Sequence, residues 1–250
     1  MKVSILIPNI FNHPFTYQNK STKLAKGDFV KVPFGSSLVT GVVWDYFEET
    51  KKNFKMRAVE KALEVPRMKN SMIKFVNWFS LYNLVPLGMS LRLVLFNKTA
   101  VEKIANENFD QFKSLGVAKK YLLNLEQEKC LEEISNKNIN FNVHVIDGVT
   151  GSGKTLVYFS RVKELIKKGY QALIMLPEIG LTSQFQKRFF DFFSFEPAIW
   201  HSNVTKKNKR IIWRGVVENK IKAVVGARSS LFLPFKKLGI IIVDEEHDSS

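Results

Sequence analysis

The chain contains 250 residues with a mass of 28.8 kDa, which is enough for two domains but too short for a two-lobed motor. Lysine and arginine number 38 against 23 aspartate and glutamate. The resulting formal net charge of +15 favours a polyanionic partner over a membrane or an acidic binding surface. A hydrophobic fraction of 45%, with 21 phenylalanines, excludes wholesale disorder. The only cysteine, Cys130, excludes an internal disulfide framework and a Cys-rich zinc module within this chain.

The N-terminal residues and the hydropathy of the chain predict a cytoplasmic protein. The apolar run from Val3 to Ile7 is too short for the core of a signal peptide, and Pro8 ends it. No later stretch approaches the roughly 18 consecutive apolar residues that a membrane span requires. A single cysteine also fits a reducing compartment. We therefore expect no membrane partner.

Residues 1–97 are predicted to form a small β-rich domain. Short apolar runs separated by turn residues predict three strands, with turns at Lys26-Gly27-Asp28 and Gly35-Ser36-Ser37. A helix is predicted from Ser71 to Leu84, ending before Pro86, and its apolar stripe predicts core packing rather than a ligand cage. The predicted strands are Val3 to Ile7, Phe29 to Pro33 and Leu38 to Trp44. The stripe consists of Met72, Phe75, Val76, Phe79 and Tyr82.

Residues 98–121 are polar and weakly patterned, and we interpret them as a connector. Beyond Tyr121 the pattern alternates between helix and strand, which predicts a parallel sheet covered by helices on both faces. The expected fold class is α/β, a small β-rich domain followed by a parallel α/β lobe over residues 122–250. The predicted helices are Glu126 to Ser135, Lys154 to Lys168, Thr182 to Phe193 and Lys206 to Glu218. The predicted strands are Asn142 to Asp147 (buried), Ala172 to Leu176, Ala223 to Val225 and Leu238 to Val243.

The strongest chemical signal is the segment from Gly148 to Thr155, which fits the phosphate-binding pattern G-x-x-x-x-G-K-[ST] at every position. Glycines let the backbone approach phosphate oxygens closely, and the following helix offers free N–H groups at its positive end. Lys154 is expected to neutralise the β- and γ-phosphates of ATP, and the Thr155 hydroxyl to ligate Mg²⁺. The expected nucleotide-binding residues are Gly148, Val149, Thr150, Gly151, Ser152, Gly153, Lys154 and Thr155.

A second signal is the apolar run Ile240-Ile241-Ile242-Val243, which is followed directly by acidic residues. In an open α/β sheet, the carboxyl ends of the strands are where ligands bind. Asp244 is expected to hold Mg²⁺, and Glu245 to orient or activate the attacking water. His247 would sense the γ-phosphate, and metal ligation by His247 with the two acids is the alternative.

These signals occur in an order that resembles the superfamily 2 helicases of the DExH type. The phosphate loop is followed by L-P-E-I-G-L-T-S-Q at 176–184, W-H-S at 200–202, G-A-R-S-S-L-F-L-P-F at 226–235 and D-E-E-H-D at 244–248. The combination most closely resembles the PriA family of primosomal replication-restart DNA helicases. The sequences P-F-T-Y at 14–17 and V-P-F-G at 32–35 extend this resemblance over nearly the whole chain. The parallel lobe is then expected to be RecA-like.

The resemblance implies ATP-driven 3′-to-5′ unwinding of DNA at stalled replication forks, with ATP and Mg²⁺ as cofactors. L-N-L-E-Q at 123–127 is similar to the Q motif, which places Gln127 on the adenine base. In this family the N-terminal domain holds the free 3′ end of a nascent strand, and the matching positions here are Thr16, Phe34 and Gly35. The family has aspartate where this chain has Thr16, so a charged acceptor is replaced by a hydroxyl that still accepts one hydrogen bond.

The resemblance also implies DNA contacts in the second half of the chain. Thr182, Arg228 and Ser229 would contact single-strand phosphates, because hydroxyls and guanidinium groups suit sequence-independent backbone contact. Helix capping is the alternative role for Thr182. The run from Lys206 to Arg210 is either a solvated helix face or a source of counterion-release affinity for DNA. The expected partners are forked or single-stranded DNA with 3′ ends and, by resemblance, other primosome proteins and single-strand-binding protein.

The family also has a second RecA-like lobe, a Cys-rich zinc module and a winged-helix domain that this sequence does not show. We therefore expect a truncated chain without zinc that does not unwind DNA alone, and a second chain is one way to supply the missing lobe. A family strand beyond Ser250 separates the strands that end at Asp147 and Val243, so these are expected to leave a gap or to pair out of register. Two other interpretations stay open: a DNA-end-binding module or adaptor with a vestigial motor half, and a translocase from another superfamily 2 branch.

Overall fold

The computed structural model describes residues 2–19, 24–46, 56–95, 101, 109–113, 118–135, 141–177, 180 and 182–244. Glu245 and His247 lie outside the described residues. The chain forms two compact units, and each contains segments from both halves of the sequence. Unit 1 comprises Met1–Glu107, Asn203–Lys220 and Leu231–Lys236, and unit 2 comprises Asn108–Ser202, Ile221–Ser230 and Lys237–Ser250. Among the described residues, every helix is too short or too polar to cross a bilayer.

Unit 1 contains a five-stranded antiparallel sheet with the order β2-β1-β4-β3-β5. The three strands predicted from the sequence are present, and two short edge strands, β2 and β5, were not predicted. The β3–β4 hairpin turns at Gly35, whose φ of 60° lies in the left-handed region that glycine adopts without a Cβ penalty. The strands are β1 Lys2–Leu6, β2 Phe15–Gln18, β3 Phe29–Phe34, β4 Ser37–Tyr46 and β5 Lys61–Ala62.

Two helices follow the sheet, α1 at Asn70–Tyr82 and α2 at Leu87–Val94. The predicted end of α1 before Pro86 is confirmed, and Pro86 is the N-cap residue of α2. The prediction that the whole aromatic stripe is core is wrong for Tyr82, whose side chain is 73% exposed. The buried face of α1 instead centres on Ile73, Val76 and Ser80. The apolar stripe is wider than this buried face of the helix, so the outer residues of the stripe lie in solvent.

A helix from the second half of the sequence completes the core of unit 1. This helix, α6 at Lys206–Val217, carries Trp213, which is 1% exposed. The Trp213 indole N–H donates to the Val94 carbonyl oxygen at 2.9 Å, and the ring packs edge-on against Phe29 with 5.7 Å between centroids. These contacts join residues more than a hundred positions apart, which local sequence patterns do not reveal.

Unit 2 contains a four-stranded parallel sheet with the order β7-β8-β6-β9, which confirms the predicted α/β class. Three described helices belong to it, and a phenylalanine cluster centred on Phe159 and Phe189 fills its core. The strands are β6 Gln171–Met175, β7 Ala198–Trp200, β8 Ala223–Gly226 and β9 Leu238–Val243. The helices are α3 Leu125–Ile134, α4 Lys154–Lys167 and α5 Ser183–Phe193.

The prediction of a buried strand from Asn142 to Asp147 is wrong. These residues form no strand, and the side chains of Val143 and Val145 are 74% and 89% exposed. A strand is stabilised by a neighbour that accepts and donates backbone hydrogen bonds, and no ladder partner for this segment exists among the described residues. The nearest predicted neighbour, β9, pairs with β6 and ends the described sheet.

Candidate functional site

The carboxyl edge of the parallel sheet in unit 2 brings together four of the predicted site residues, Asp244, Thr182, Arg228 and Ser229. All four strands run in the same direction, so the residues that follow them emerge at one edge. Asp244 follows β9 directly, and its backbone N–H donates to the Met175 carbonyl oxygen at 3.0 Å. Thr182 follows β6, and Arg228 and Ser229 follow β8.

The phosphate loop is closed by its own hydrogen bonds. Gly151 and Gly153 have φ values of 82° and 86°, which lie in the left-handed region, and Gly153 is the N-cap of α4. The Ser152 N–H donates to the Val149 carbonyl oxygen at 3.1 Å. The Lys154 ammonium donates to the Gly148 carbonyl oxygen, so its charge lies over the loop at the start of α4. The loop therefore places a cation and a helix N-terminus together, an arrangement that binds anions.

Gln127 links the N-terminus of α3 to this loop. Its backbone and side chain form a capping box with Asn124, in which Gln127 Oε1 accepts from the Asn124 N–H at 3.0 Å. The side-chain amide nitrogen of Gln127, Nε2, donates to the Ser152 carbonyl oxygen at 2.9 Å. A Cβ at Gly153 would overlap this same amide nitrogen. The residue expected to bind adenine is therefore adjacent to the phosphate loop, with its side chain held by two hydrogen bonds.

Tyr158 joins the two residues expected to hold Mg²⁺, and sequence reasoning missed it. Its hydroxyl donates to Asp244 Oδ2 at 2.7 Å, and the Thr155 side chain interacts with the same hydroxyl. Burial, followed by the charge of Asp244 and the hydrogen bond to it, raises the pKa of Tyr158 far above that of a free phenol. The spacing of three residues from Thr155 along α4 was the available sequence signal, because residues three apart share a helix face.

The oxygen ligands at this position suit magnesium. Mg²⁺ prefers carboxylate and hydroxyl oxygens and is usually held by one or two protein groups together with substrate phosphates. Thr155 and Asp244 provide a hydroxyl and a carboxylate that a single side chain, Tyr158, connects. Within the described part of the chain, the geometry does not bring together three or more histidine, cysteine or carboxylate side chains as a metal cluster.

The predicted DNA contacts of unit 2 lie at the same edge but play different local roles. The Thr182 hydroxyl oxygen accepts from the Phe185 N–H at 3.2 Å and so caps α5, the alternative that the sequence left open. Arg228 and Ser229 are exposed at the start of the 3₁₀ helix Arg228–Phe232. Ser230 is fully buried, and its hydroxyl donates to the Ala227 carbonyl oxygen at 2.5 Å.

In unit 1 the residues expected at a DNA 3′ end divide between the two faces of the sheet. Phe34 packs with Phe15, with 5.2 Å between ring centroids. Thr16 is exposed and, by strand alternation, points to the face opposite Phe15. The Gly35 carbonyl oxygen accepts from Arg57 Nη1 at 2.7 Å, and sequence reasoning missed this arginine because it lies 22 positions from the hairpin.

Tyr17, next to Thr16, belongs to the core of this sheet. Its hydroxyl donates to the Pro33 carbonyl oxygen at 3.0 Å, and its side chain is 4% exposed. Burial raises the pKa of the Tyr17 phenol, and the Arg57 guanidinium acts in the opposite direction. This hydrogen bond therefore links β2 to β3 next to the β3–β4 hairpin.

Two family matches cover most of the chain. The 3′DNA-binding domain (3′BD) family matches residues 2–95, and the DEAD/DEAH box helicase family matches residues 124–250. The replication restart protein PriA of Rickettsia felis is 39% identical over 248 residues, which are 98% of this chain and 37% of the relative. The PriA protein of Helicobacter pylori strain 26695 is 32% identical over 249 residues, covering 95% of this chain and 36% of the relative.

A third relative matches over a shorter region. The replication restart protein PriA of Haemophilus influenzae is 47% identical over 110 residues, which are 44% of this chain and 15% of the relative. The chain thus spans somewhat more than a third of the length of the PriA proteins that it matches along nearly its whole sequence. The helicase match over residues 124–250 contains both the phosphate loop and Asp244, the acid that follows β9. The chain therefore belongs to the DEAD/DEAH box helicase family, and it is homologous to the N-terminal portion of the replication restart protein PriA.

Proposed function

We propose that this chain binds ATP and branched DNA as part of a PriA-type, ATP-dependent DNA helicase of replication restart, which unwinds DNA in the 3′-to-5′ direction. The observation that carries this proposal is the phosphate loop, in which Lys154 and the N-terminus of α4 converge on one point. Such a DNA-replication enzyme would act in the cytoplasm. Other primosome proteins and single-strand-binding protein are the proposed protein partners.

Nucleotide binding is proposed to exchange internal hydrogen bonds for phosphate contacts. Lys154 would leave the Gly148 carbonyl oxygen and pair with the β- and γ-phosphates, while N–H groups at the start of α4 bind phosphate oxygens. Gln127, which lies next to the loop, would bind the adenine edge. Thr155 and Asp244 would hold Mg²⁺, whose charge would offset that of the triphosphate.

Hydrolysis is assigned to residues next to this acid. Glu245 would orient or activate the attacking water, and His247 would sense the γ-phosphate; both follow Asp244 within three positions. An arginine supplied from outside a nucleotide site accelerates phosphoryl transfer by about 10³- to 10⁵-fold in other systems.

Isothermal titration of the chain with a non-hydrolysable ATP analogue and MgCl₂ tests nucleotide binding. Lys154→Ala is expected to weaken binding by about 10- to 100-fold, because a hydrogen bond to a charged group contributes about 1.5–3 kcal/mol. Lys167→Ala is the matched control, since it removes the same charge from the exposed far end of the same helix. Equal binding by the wild-type chain and Lys154→Ala would overturn the proposal.

The second part of the proposal is recognition of a DNA 3′ end by unit 1. Support comes from the match to the 3′DNA-binding domain family and from the exposed hairpin at Gly35, where Arg57 holds the carbonyl oxygen. Thr16 would contribute one hydrogen-bond acceptor from β2. Sequence-independent affinity would come from the excess of positive charge and would weaken with added salt.

Fluorescence anisotropy with two single-stranded oligonucleotides, one ending in a 3′-hydroxyl and one in a 3′-phosphate, tests this part. The wild-type chain is expected to prefer the hydroxyl, and Thr16→Ala and Arg57→Ala are each expected to reduce that preference. Arg92→Ala, an exposed arginine of α2, is the control for loss of one charge. The proposal fails if the wild-type chain binds both oligonucleotides equally well.

The same assays separate the helicase proposal from its alternative, a DNA-end-binding module or adaptor with a vestigial nucleotide site. The aromatic cluster of Phe11, Phe15 and Phe34 beside the hairpin favours DNA binding by unit 1 on its own. A chain that binds the 3′-hydroxyl oligonucleotide but gives no heat with the ATP analogue would be such a module.

A further inference from the structure

The hydroxyl of Tyr158 lies between the two side chains that the proposed function assigns to Mg²⁺. It donates to Asp244 Oδ2 at 2.7 Å, and the Thr155 side chain, which precedes Tyr158 by three residues on α4, interacts with the same hydroxyl. The ring itself is 3% exposed and belongs to the core cluster of unit 2, where it packs edge-on against Phe159. The position of the hydroxyl is therefore fixed by the core and not by solvent.

This contact constrains Asp244 while leaving part of it available. A carboxylate has two oxygens and about four acceptor positions, and the Tyr158 hydroxyl takes one position on Oδ2. Within the part of the chain that the structure describes, this is the hydrogen bond that the Asp244 side chain makes, so Oδ1 and the outer lone pairs remain for another ligand. The backbone of Asp244 is also fixed, because its N–H donates to the Met175 carbonyl oxygen. The carboxylate is thus held at both its backbone and its side-chain end.

We propose that Tyr158 is a positioning residue for the divalent cation of the nucleotide site, because its hydroxyl sets the orientation of Asp244 relative to Thr155. The inference rests on the proposed function. Mg²⁺ demands nearly ideal octahedral geometry, so its protein ligands must be held in place before it binds. Partners that orient metal ligands typically change metal affinity or activity by about 10- to 100-fold when they are removed.

The charge of the site does not change when this hydroxyl is removed. A neutral phenol contributes a donor and no net charge. Tyr158→Phe keeps the ring in the core and deletes only the hydroxyl oxygen. Any change in cation dependence then reports the orientation of Asp244 and Thr155 and not a change in electrostatic attraction.

The test is a magnesium titration of nucleotide binding. A fluorescent non-hydrolysable ATP analogue is held at fixed concentration, and MgCl₂ is added to the wild-type chain and to Tyr158→Phe. The variant is expected to need about 10-fold or more Mg²⁺ for half-maximal binding, with unchanged analogue binding in EDTA. Tyr170→Phe is the control, because it removes a hydroxyl from a tyrosine that is 43% exposed and lies between α4 and β6. This control is expected to match the wild type.

A double-mutant cycle with Asp244 distinguishes a positioning role of Tyr158 from a purely structural one, because it measures whether the effect of Tyr158 on the Mg²⁺ requirement depends on the Asp244 carboxylate. In an Asp244→Asn background, Tyr158→Phe is expected to leave the Mg²⁺ requirement unchanged, because the carboxylate through which Tyr158 acts is absent. An unchanged Mg²⁺ requirement in folded Tyr158→Phe with Asp244 intact overturns the inference. If Lys154→Ala also fails to weaken analogue binding, the proposed function itself fails; if only the tyrosine variant is silent, the inference alone fails.

A measurement on the unsubstituted chain covers the case in which Tyr158→Phe does not fold. The six tyrosines are labelled with ¹³C in the ring, and Mn²⁺ replaces Mg²⁺ in the presence of the ATP analogue. A tyrosine ring beside the cation is expected to lose its resonance through paramagnetic broadening. If none of the six resonances responds, Tyr158 does not adjoin the bound cation and the inference is overturned.

Discussion

Replacement of Gly153 by alanine is expected to destabilise unit 2 through two separable effects. Gly153 has a φ of 86°, and a residue with a Cβ costs about 1–2 kcal/mol in the left-handed region. The new Cβ would also overlap Nε2 of Gln127, which then loses its 2.9 Å hydrogen bond to the Ser152 carbonyl oxygen. A hydrogen bond of this kind contributes about 0.5–1.5 kcal/mol, so the total loss is about 1.5–3.5 kcal/mol.

Gly151 provides the matched control. Its φ of 82° is nearly the same, but a Cβ there would meet no atom within 4 Å. Gly151→Ala therefore carries the backbone penalty alone, about 1–2 kcal/mol. In a Gln127→Ala background the overlap at Gly153 is removed, and the two alanine substitutions are expected to cost the same.

Urea unfolding of the four variants, followed by circular dichroism at 25 °C, gives the free energies of unfolding. The reasoning is refuted if Gly151→Ala and Gly153→Ala lose the same stability with Gln127 present. It is also refuted if the extra loss at Gly153 persists after Gln127 is replaced. Either result would mean that the contact between Gln127 and the phosphate loop does not stabilise the fold.

Further predictions concern packing and acid stability. Trp213→Ala is expected to cost about 3–5 kcal/mol in urea unfolding, because this indole is 1% exposed, whereas Trp78→Ala, at 53% exposure, should change stability by about 0.5 kcal/mol or less. Gln171→Leu is expected to cost about 2–6 kcal/mol, since the fully buried amide bonds two backbone groups that would each lose a partner worth about 1–3 kcal/mol. The hydrogen bond from Lys168, together with the Arg161 ion pair, lowers the pKa of Glu164 below 4.5 although burial opposes this. Glu164 therefore stabilises the fold above about pH 4.5, and this contribution is lost as the pH falls through its lower folded value. Melting temperatures measured between pH 3 and 7 should depend less on pH in Glu164→Gln than in the wild type, and parallel curves would contradict this assignment.

The sequence predicted those elements whose stability comes from neighbouring residues. The helix after the phosphate loop begins at Lys154 as expected, because the glycines before it permit the left-handed backbone that starts α4. The strand Leu238–Val243 was predicted with its observed bounds, since a run of branched apolar residues is bounded by lysine and an acid. The capping role of Thr182 was also among the alternatives that the sequence allowed.

Several features that the sequence did not reveal depend on a distant partner. The segment 142–147 has strand-like composition, but a strand also needs a neighbour to pair with, and composition does not supply one. The helix α6 was predicted correctly as a helix, yet its packing in unit 1 depends on Phe29 and Val94. The role of Tyr158 depends on Asp244, which lies 86 positions away.

The proposed nucleotide site is preformed by hydrogen bonds within the chain. Lys154, Gln127 and Asp244 each have an intramolecular partner in the loop or on α4, so these polar groups are satisfied without ligand. Nucleotide binding would then replace one set of hydrogen bonds by another. At Lys154 a carbonyl oxygen would be exchanged for phosphate oxygens, and hydrogen bonds between two charged groups are the stronger ones. Since the partners of Gln127 and Lys154 lie on the same loop, adenine and phosphate contacts would release that loop together. On this proposal, base recognition and phosphate binding would be coupled through the loop that they share.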